Sequence, residues 1–247
     1  MPLNLTRGLY STFLNVGSVV TARRTMDQPV NFRLATGERL RGDGTFLPVT
    51  WFVSAGRGYA TYRDLQPVWG QYVIATYDHT PITRSVNSGA RLSARGQLFF
   101  PGLVRHQGLM LEGAYERQWA GNYFFSSQMT FPRGYSAVAF DRFRKVSANY
   151  AVPLDYPDMN IWGAVQVHRV RGNLFHDYGV GDLLTSAAVP SYPAGTKTQY
   201  TYTSSGLELM ADTHLWQIPA PIGIGFRTVY THEEKRIRTS LLLQVEF

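Results

Sequence analysis

Hydrophobic and polar positions alternate along much of this chain with the two-residue period of a β-strand. At 90–100, Ala90, Leu92, Ala94, Gly96, Leu98 and Phe100 fall on one face, and Arg91, Ser93, Arg95 and Gln97 on the other. The pattern recurs at 107–119, where Leu109, Leu111 and Tyr115 oppose Met110, Glu112 and Glu116. At 145–154, Val146, Ala148, Tyr150, Val152 and Leu154 oppose Lys145, Ser147 and Asn149. At 200–215, Leu207, Leu209, Ala211 and Leu215 oppose Glu208, Asp212 and His214, and at 222–232 Ile222, Ile224, Phe226, Thr228 and Tyr230 oppose Gly223, Gly225 and Arg227. The last stretch, 237–247, sets Thr239, Leu241, Leu243, Val245 and Phe247 against Ser240, Gln244 and Glu246. Segments 9–24, 48–63, 69–80 and 161–178 read as strands of less regular pattern. The chain thus predicts about ten strands, each near or above the roughly 9–11 residues that a tilted membrane strand needs.

The connections sort into two sets. If the final strand ends at one rim, the turns on that rim are 64–68, 101–105, 155–160 and 217–221, all short and all containing Pro. The opposite rim receives 25–43, 81–89, 120–143, 179–198 and the brief 232–236, mostly long and polar. Short turns alternating with long loops are the mark of an up-and-down membrane barrel, whereas a Greek-key sandwich follows no such rule. The expected fold is all-β: one antiparallel transmembrane β-barrel domain over 1–247.

Composition narrows the function classes. No run of about eighteen apolar residues occurs, so no helical span is expected, and mean hydropathy is slightly negative at −0.18. Aromatics make up 14% of the chain and glycine occurs 23 times, a mix that suits many strands, interfacial rings and tight turns. The absence of Cys removes disulfides, thiolate metal sites and Cys nucleophiles. The net charge of +7 is scattered over strands and loops, so no nucleic-acid partner is expected. The six His residues show no H-x-x-x-H or H-E-x-x-H spacing, which argues against a metal site. Ser147, Ser204 and Ser205 lie in no G-x-S-x-G context, and Gly56-Arg57-Gly58 lacks the strand-to-helix setting of a nucleotide loop. The expectation is therefore no enzyme, no catalytic residue, no metal and no cofactor. The opening MPLNLTRGLYSTF has no basic segment followed by an apolar one, so an export signal is expected to be missing from this numbering.

Two motifs and the terminus carry a family resemblance. Phe131-Pro132-Arg133-Gly134-Tyr135 sits in the long connection 120–143, with five strands expected after it. Phe175-His176-Asp177-Tyr178-Gly179 reads F-x-D-x-G on the second strand after that loop. Together these resemble the Arg-Gly-Tyr loop motif and its strand partner in the BamA-like superfamily of bacterial surface antigens, outer-membrane insertases and two-partner-secretion transporters. The terminal Phe247, with Val245 and Leu243, is similar to the carboxyl-terminal sorting signal of outer-membrane proteins.

The resemblance implies a loop folded into the barrel lumen, with Arg133 held by Asp177 through paired hydrogen bonds. Glu208 and Asp212 stand as additional or alternative acceptors. Gly134 would allow close approach to the wall, and Tyr135 would pack on the lumen side. The implied location is the bacterial outer membrane, the implied partners are outer-membrane lipid and unfolded β-barrel or secreted polypeptide clients, and the implied role is assistance in their insertion or translocation. The family barrel has about sixteen strands and in some relatives follows a periplasmic POTRA-like module. With about ten strands and no such module, the chain reads as the carboxyl-terminal barrel portion, incomplete at its amino terminus. A lumen lined by Arg91, Arg95, Arg227, Glu112 and Glu116 also suits a second reading, a passive outer-membrane pore or structural anchor.

Overall fold

A computed structural model of the chain describes residues 2–4, 6, 8–25, 44–61, 64–82, 89–119, 125–138, 140–163, 165–184, 197–215 and 222–245. Every regular element in them is a strand. The long ones are β2 (Ser11–Val20), β4 (Gly44–Tyr59), β5 (Trp69–Ile82), β6 (Ala90–Pro101), β7 (Gly108–Trp119), β8 (Arg142–Asp155), β10 (Val165–Leu184), β11 (Lys197–Leu215), β12 (Ile222–Thr231) and β13 (Arg236–Val245). Three-residue pieces complete the set: β1 (Pro2–Asn4), β3 (Arg23–Thr25) and β9 (Met159–Ile161).

All described strands join one 13-stranded antiparallel sheet in the order β1-β2-β4-β5-β6-β7-β8-β10-β11-β12-β13, with β3 on β4 and β9 on β10. The long strands form a meander in which each pairs with the next in sequence. Strands β1 and β13 stand at the two ends of this order, and no pairing joins them among the described residues. Such a sheet has the connectivity of an up-and-down barrel wall.

The predicted loop 179–198 is shorter than its composition suggested. Residues 179–184 continue β10 and 197–198 open β11, with Gly181 opposite Tyr200 and Leu184 opposite Lys197. Gly and polar residues there read locally as a turn, but cross-strand backbone bonding carries the ladder through them. The predicted turn 217–221 lies outside the described residues.

The two faces of the sheet are inverted relative to a water-soluble β-protein. Apolar side chains stand exposed, such as Leu174 at 56%, Val146 at 60% and Leu241 at 80%, while Asp177 at 0% and Glu116 at 2% are buried. Alternation decides the face and antiparallel register aligns it, since Asp177, Ser204 and Thr231 are opposed in sequence across β10, β11 and β12 and all are buried. The polar face is buried because a segment of the chain lies across it.

Candidate functional site: a strap anchored by Arg133

Residues 125–135 run across the polar face and touch seven strands in turn. At its amino end, the buried side-chain amide of Gln118 on β7 grips the backbone of Phe125. Its Nε2 donates to the Phe125 carbonyl at 2.8 Å, and its Oε1 accepts from the Phe125 amide at 3.0 Å. Gln118 thereby gives this backbone a donor and an acceptor, the two bonds that a strand neighbour would make. Arg91 on β6 donates to the Ser126 carbonyl and pairs with Asp78 on β5 through Nε at 3.0 Å and Nη2 at 2.6 Å. The backbone amide of Gln128 donates to Glu116 at 2.9 Å, and the Gln128 side-chain oxygen accepts from Thr76 and Ser93. Lys145 on β8 donates to the Thr130 hydroxyl at 3.2 Å.

The carboxyl half is held by the two motifs. Pro132-Arg133-Gly134-Tyr135 closes a turn in which the Tyr135 amide donates to the Pro132 carbonyl at 3.3 Å. Gly134 sits at φ +86°, the left-handed value that this turn requires at its third residue. A Cβ there would also come within 2.8 Å of Val229 and 2.9 Å of Thr231 on β12. The turn drives the Arg133 guanidinium onto β10. Nε and Nη2 donate to the two oxygens of Asp177, each at 2.8 Å, and the Arg133 backbone amide adds a third bond at 3.0 Å. Nη2 also donates to Asn149 at 2.8 Å and Nη1 to Glu208 at 3.2 Å. The guanidinium carbon lies 3.5 Å from the centroid of the buried Phe175 ring.

F-x-D-x-G thus acquires a physical reading. The period of two places Phe175, Asp177 and Gly179 on one face of β10, where they supply a stacking ring, a carboxylate and an open slot. A Cβ on Gly179 would come within 2.7 Å of the ring of Pro132, which is fully buried. Phe131 packs against Phe143 at 5.0 Å and Tyr202 at 4.8 Å between centroids, which seals this end of the strap with aromatic contacts.

Tyr135 forms the last fastening. Its hydroxyl donates to the Thr203 carbonyl at 2.9 Å and contacts Glu233 in the turn between β12 and β13. Burial, then the Glu233 hydrogen bond, pushes the Tyr135 phenol up to about 12. Burial works to raise Glu233, but hydrogen bonds from Tyr135 and Thr203 outweigh it and hold this carboxyl below its ordinary value.

No family model and no curated protein matches the chain. The arrangement must therefore be read from its own geometry. Arg133, Gly134, Tyr135, Phe175, Asp177, Gly179 and Glu208 meet at one place. Asp212 does not join them. In register it faces Arg169, and it pairs with Arg169 at 2.6 Å and Arg171 at 3.0 Å. The charged residues expected to line the lumen form specific pairs: Arg95 with Glu112 at 2.5 Å, Arg227 with Glu208 at 2.6 Å, and Lys145 with Glu112 at 3.6 Å. At the carboxyl terminus, Leu243 is exposed opposite Ile224, Val245 ends β13 opposite Ile222, and Phe247 lies outside the described residues.

Sequence reasoning missed the grips of Gln118, Glu116, Lys145 and Asn149 on the strap. Alternation puts all four on the polar face, but their partners depend on the path of the strap. It also missed the proximity of certain histidines, since His176 and His232 flank Ser205, at 2.8 and 3.0 Å from its hydroxyl. Among the described residues no group of three His, Cys, Asp or Glu is placed to hold a metal ion.

Proposed function

We propose that this chain forms part or all of an outer-membrane β-barrel in a bacterium, with the 125–135 strap inside the lumen, and that it assists insertion or translocation of β-rich polypeptides. The observation that carries this reading is the inverted sheet crossed by an arginine-anchored strap. An apolar face this continuous is stable only against a non-aqueous surrounding, because water penalises exposed hydrocarbon in proportion to its area. The polar face needs internal partners, and the strap supplies them. Five long strands follow the strap, and the F-x-D-x-G strand is the second of them, in keeping with the resemblance to bacterial surface antigens.

In this reading Arg133 and Asp177 are positioning residues. They hold the strap against β10 so that the wall stays in its working shape while a client strand engages. The test reconstitutes the full chain in phospholipid vesicles and measures how fast a urea-unfolded β-barrel client becomes protease-resistant. Wild type should accelerate folding over empty vesicles, and Arg133→Ala and Asp177→Ala should each lower that rate with strand content retained by circular dichroism. Full activity in both variants overturns the pairing as a functional device. Stepwise ion conductance with no acceleration of the client favours the passive pore or anchor instead.

A further inference from the structure

The exposed face of β4–β8 carries a gap that the described residues do not fill. Gly96 on β6 and Gly113 on β7 are direct cross-strand partners. Neither has positive φ, so backbone conformation does not demand glycine at either position. A Cβ on Gly113 would meet nothing within 4 Å, and one on Gly96 would meet only the Tyr72 carbonyl at 3.9 Å. Glycine weakens a strand interior, and here no neighbour among the described residues explains it. Gly134 and Gly179 differ in that a Cβ on Gly134 would meet Val229 and Thr231, and one on Gly179 would meet Pro132 of the strap.

Around the glycine pair stand Val73, Leu98, Leu111 and Val146, all exposed. They line a groove of about 740 Å³, within the roughly 300–1,000 Å³ of small-molecule sites. At one end the groove reaches Arg57 on β4 and Gln71 on β5, and a notch of about 320 Å³ continues past them to Tyr10 and Trp69. Arg57 is exposed, its guanidinium carbon lies 4.6 Å from the Tyr10 ring centroid, and no ion pair engages it among the described residues. An apolar trough ending in an unpaired cation, flanked by the aromatic rings that favour a membrane interface, is complementary to an amphiphile with a negative head.

We infer that this groove binds one anionic phospholipid, with an acyl chain over Gly96 and Gly113 and the phosphate at Arg57. Gln71 is placed to donate its amide to the headgroup. The inference rests on the membrane reading above, because only a bilayer presents such a molecule to this face.

The experiment titrates phosphatidylglycerol or phosphatidylcholine into the full chain, purified in neutral detergent, and counts retained lipid by native mass spectrometry. Wild type should retain one phosphatidylglycerol in preference to phosphatidylcholine. The double variant Gly96→Val/Gly113→Val narrows the trough from two positions where an added Cβ meets no described atom closer than 3.9 Å, and places β-branched residues in strands that favour them. It should keep its melting temperature yet lose phosphatidylglycerol affinity about tenfold, the loss expected for some two methylenes of contact. Arg57→Gln should retain lipid but abolish the preference between headgroups. Equal retention by wild type and the valine variant, or no headgroup preference in wild type, overturns the site while leaving the membrane reading intact. A wild-type chain that stays soluble and monodisperse without detergent overturns both.

Discussion

The two halves of the strap solve the same problem by different means. From 125 to 130 the chain is mostly exposed and held by hydrogen bonds to side chains of the sheet, among them Gln118 on the Phe125 backbone, Arg91 on the Ser126 carbonyl and Glu116 on the Gln128 amide. From 131 to 135 it is sunk into the sheet, with Pro132 fully buried, Arg133 spread over Asp177, Glu208 and Asn149, and Phe131 sealed by rings. The first half can open without separating an ion pair, at the loss of these hydrogen bonds and with the buried Glu116 uncovered. The second cannot open without uncovering a buried carboxylate and its counter-charge. The fold therefore contains a rigid anchor and a looser tether in one segment, and small opening motions should start at the tether.

The sharpest way to break this contrast is to remove one side of the anchor. Asp177→Ala leaves Arg133 with Asn149 and, as its remaining carboxylate, Glu208, and should destabilise the chain by about 3–5 kcal/mol. Replacing both partners with apolar residues of similar volume should recover most of that loss, as read by thermal denaturation in detergent. A smaller effect is expected at the turn. Gly134→Ala meets both the positive φ and the contact with Val229, and should cost about 1–3 kcal/mol, with cleavage sites appearing at 131–135 under limited proteolysis.

Gln118→Ala tests the tether. It removes the two Gln118 bonds to the Phe125 backbone, at about 1–3 kcal/mol, and should expose 125–130 to protease while the Arg133 region stays protected. Equal protection loss in both halves would mean that the strap opens as one unit.

The mildest perturbation is pH. Glu233 has a depressed carboxyl, so its contribution is present above its unfolded value of 4.5 and is lost as pH falls through the lower folded value. Tyr135 has a raised phenol, so its contribution is complete below its unfolded value of 10.0 and is lost as pH climbs through about 12. The Tyr135 fastening should hold between these limits. Release at either side should appear as increased proteolysis near 135, and Tyr135→Phe should flatten the profile.

Much of this was legible in the amino-acid sequence. Alternation alone separates Val146, Ala148 and Tyr150 from Lys145, Ser147 and Asn149, because the strand period is a property of the local backbone. The ten long strands, their two faces and the all-β class follow from it. The spacing of Phe175, Asp177 and Gly179 likewise puts them on one face before any neighbour is known, and the Gly of Arg133-Gly134-Tyr135 marks a turn.

What the tertiary structure alone decided is which polar residue meets which. Glu208 and Asp212 lie on the same face of β11, four positions apart, and in sequence they are equivalent candidates for Arg133. Register separates them: Glu208 is opposite Asn173, within reach of the Asp177 site, while Asp212 is opposite Arg169 and is neutralised there. The same holds for Gln118 and Phe125, whose bond depends on the path of the strap, and for Gly96 and Gly113, whose gap exists only once β6 and β7 pair. A local period selects faces, but pairing energies depend on distances set by long-range register, and no local pattern in the chain encodes those distances.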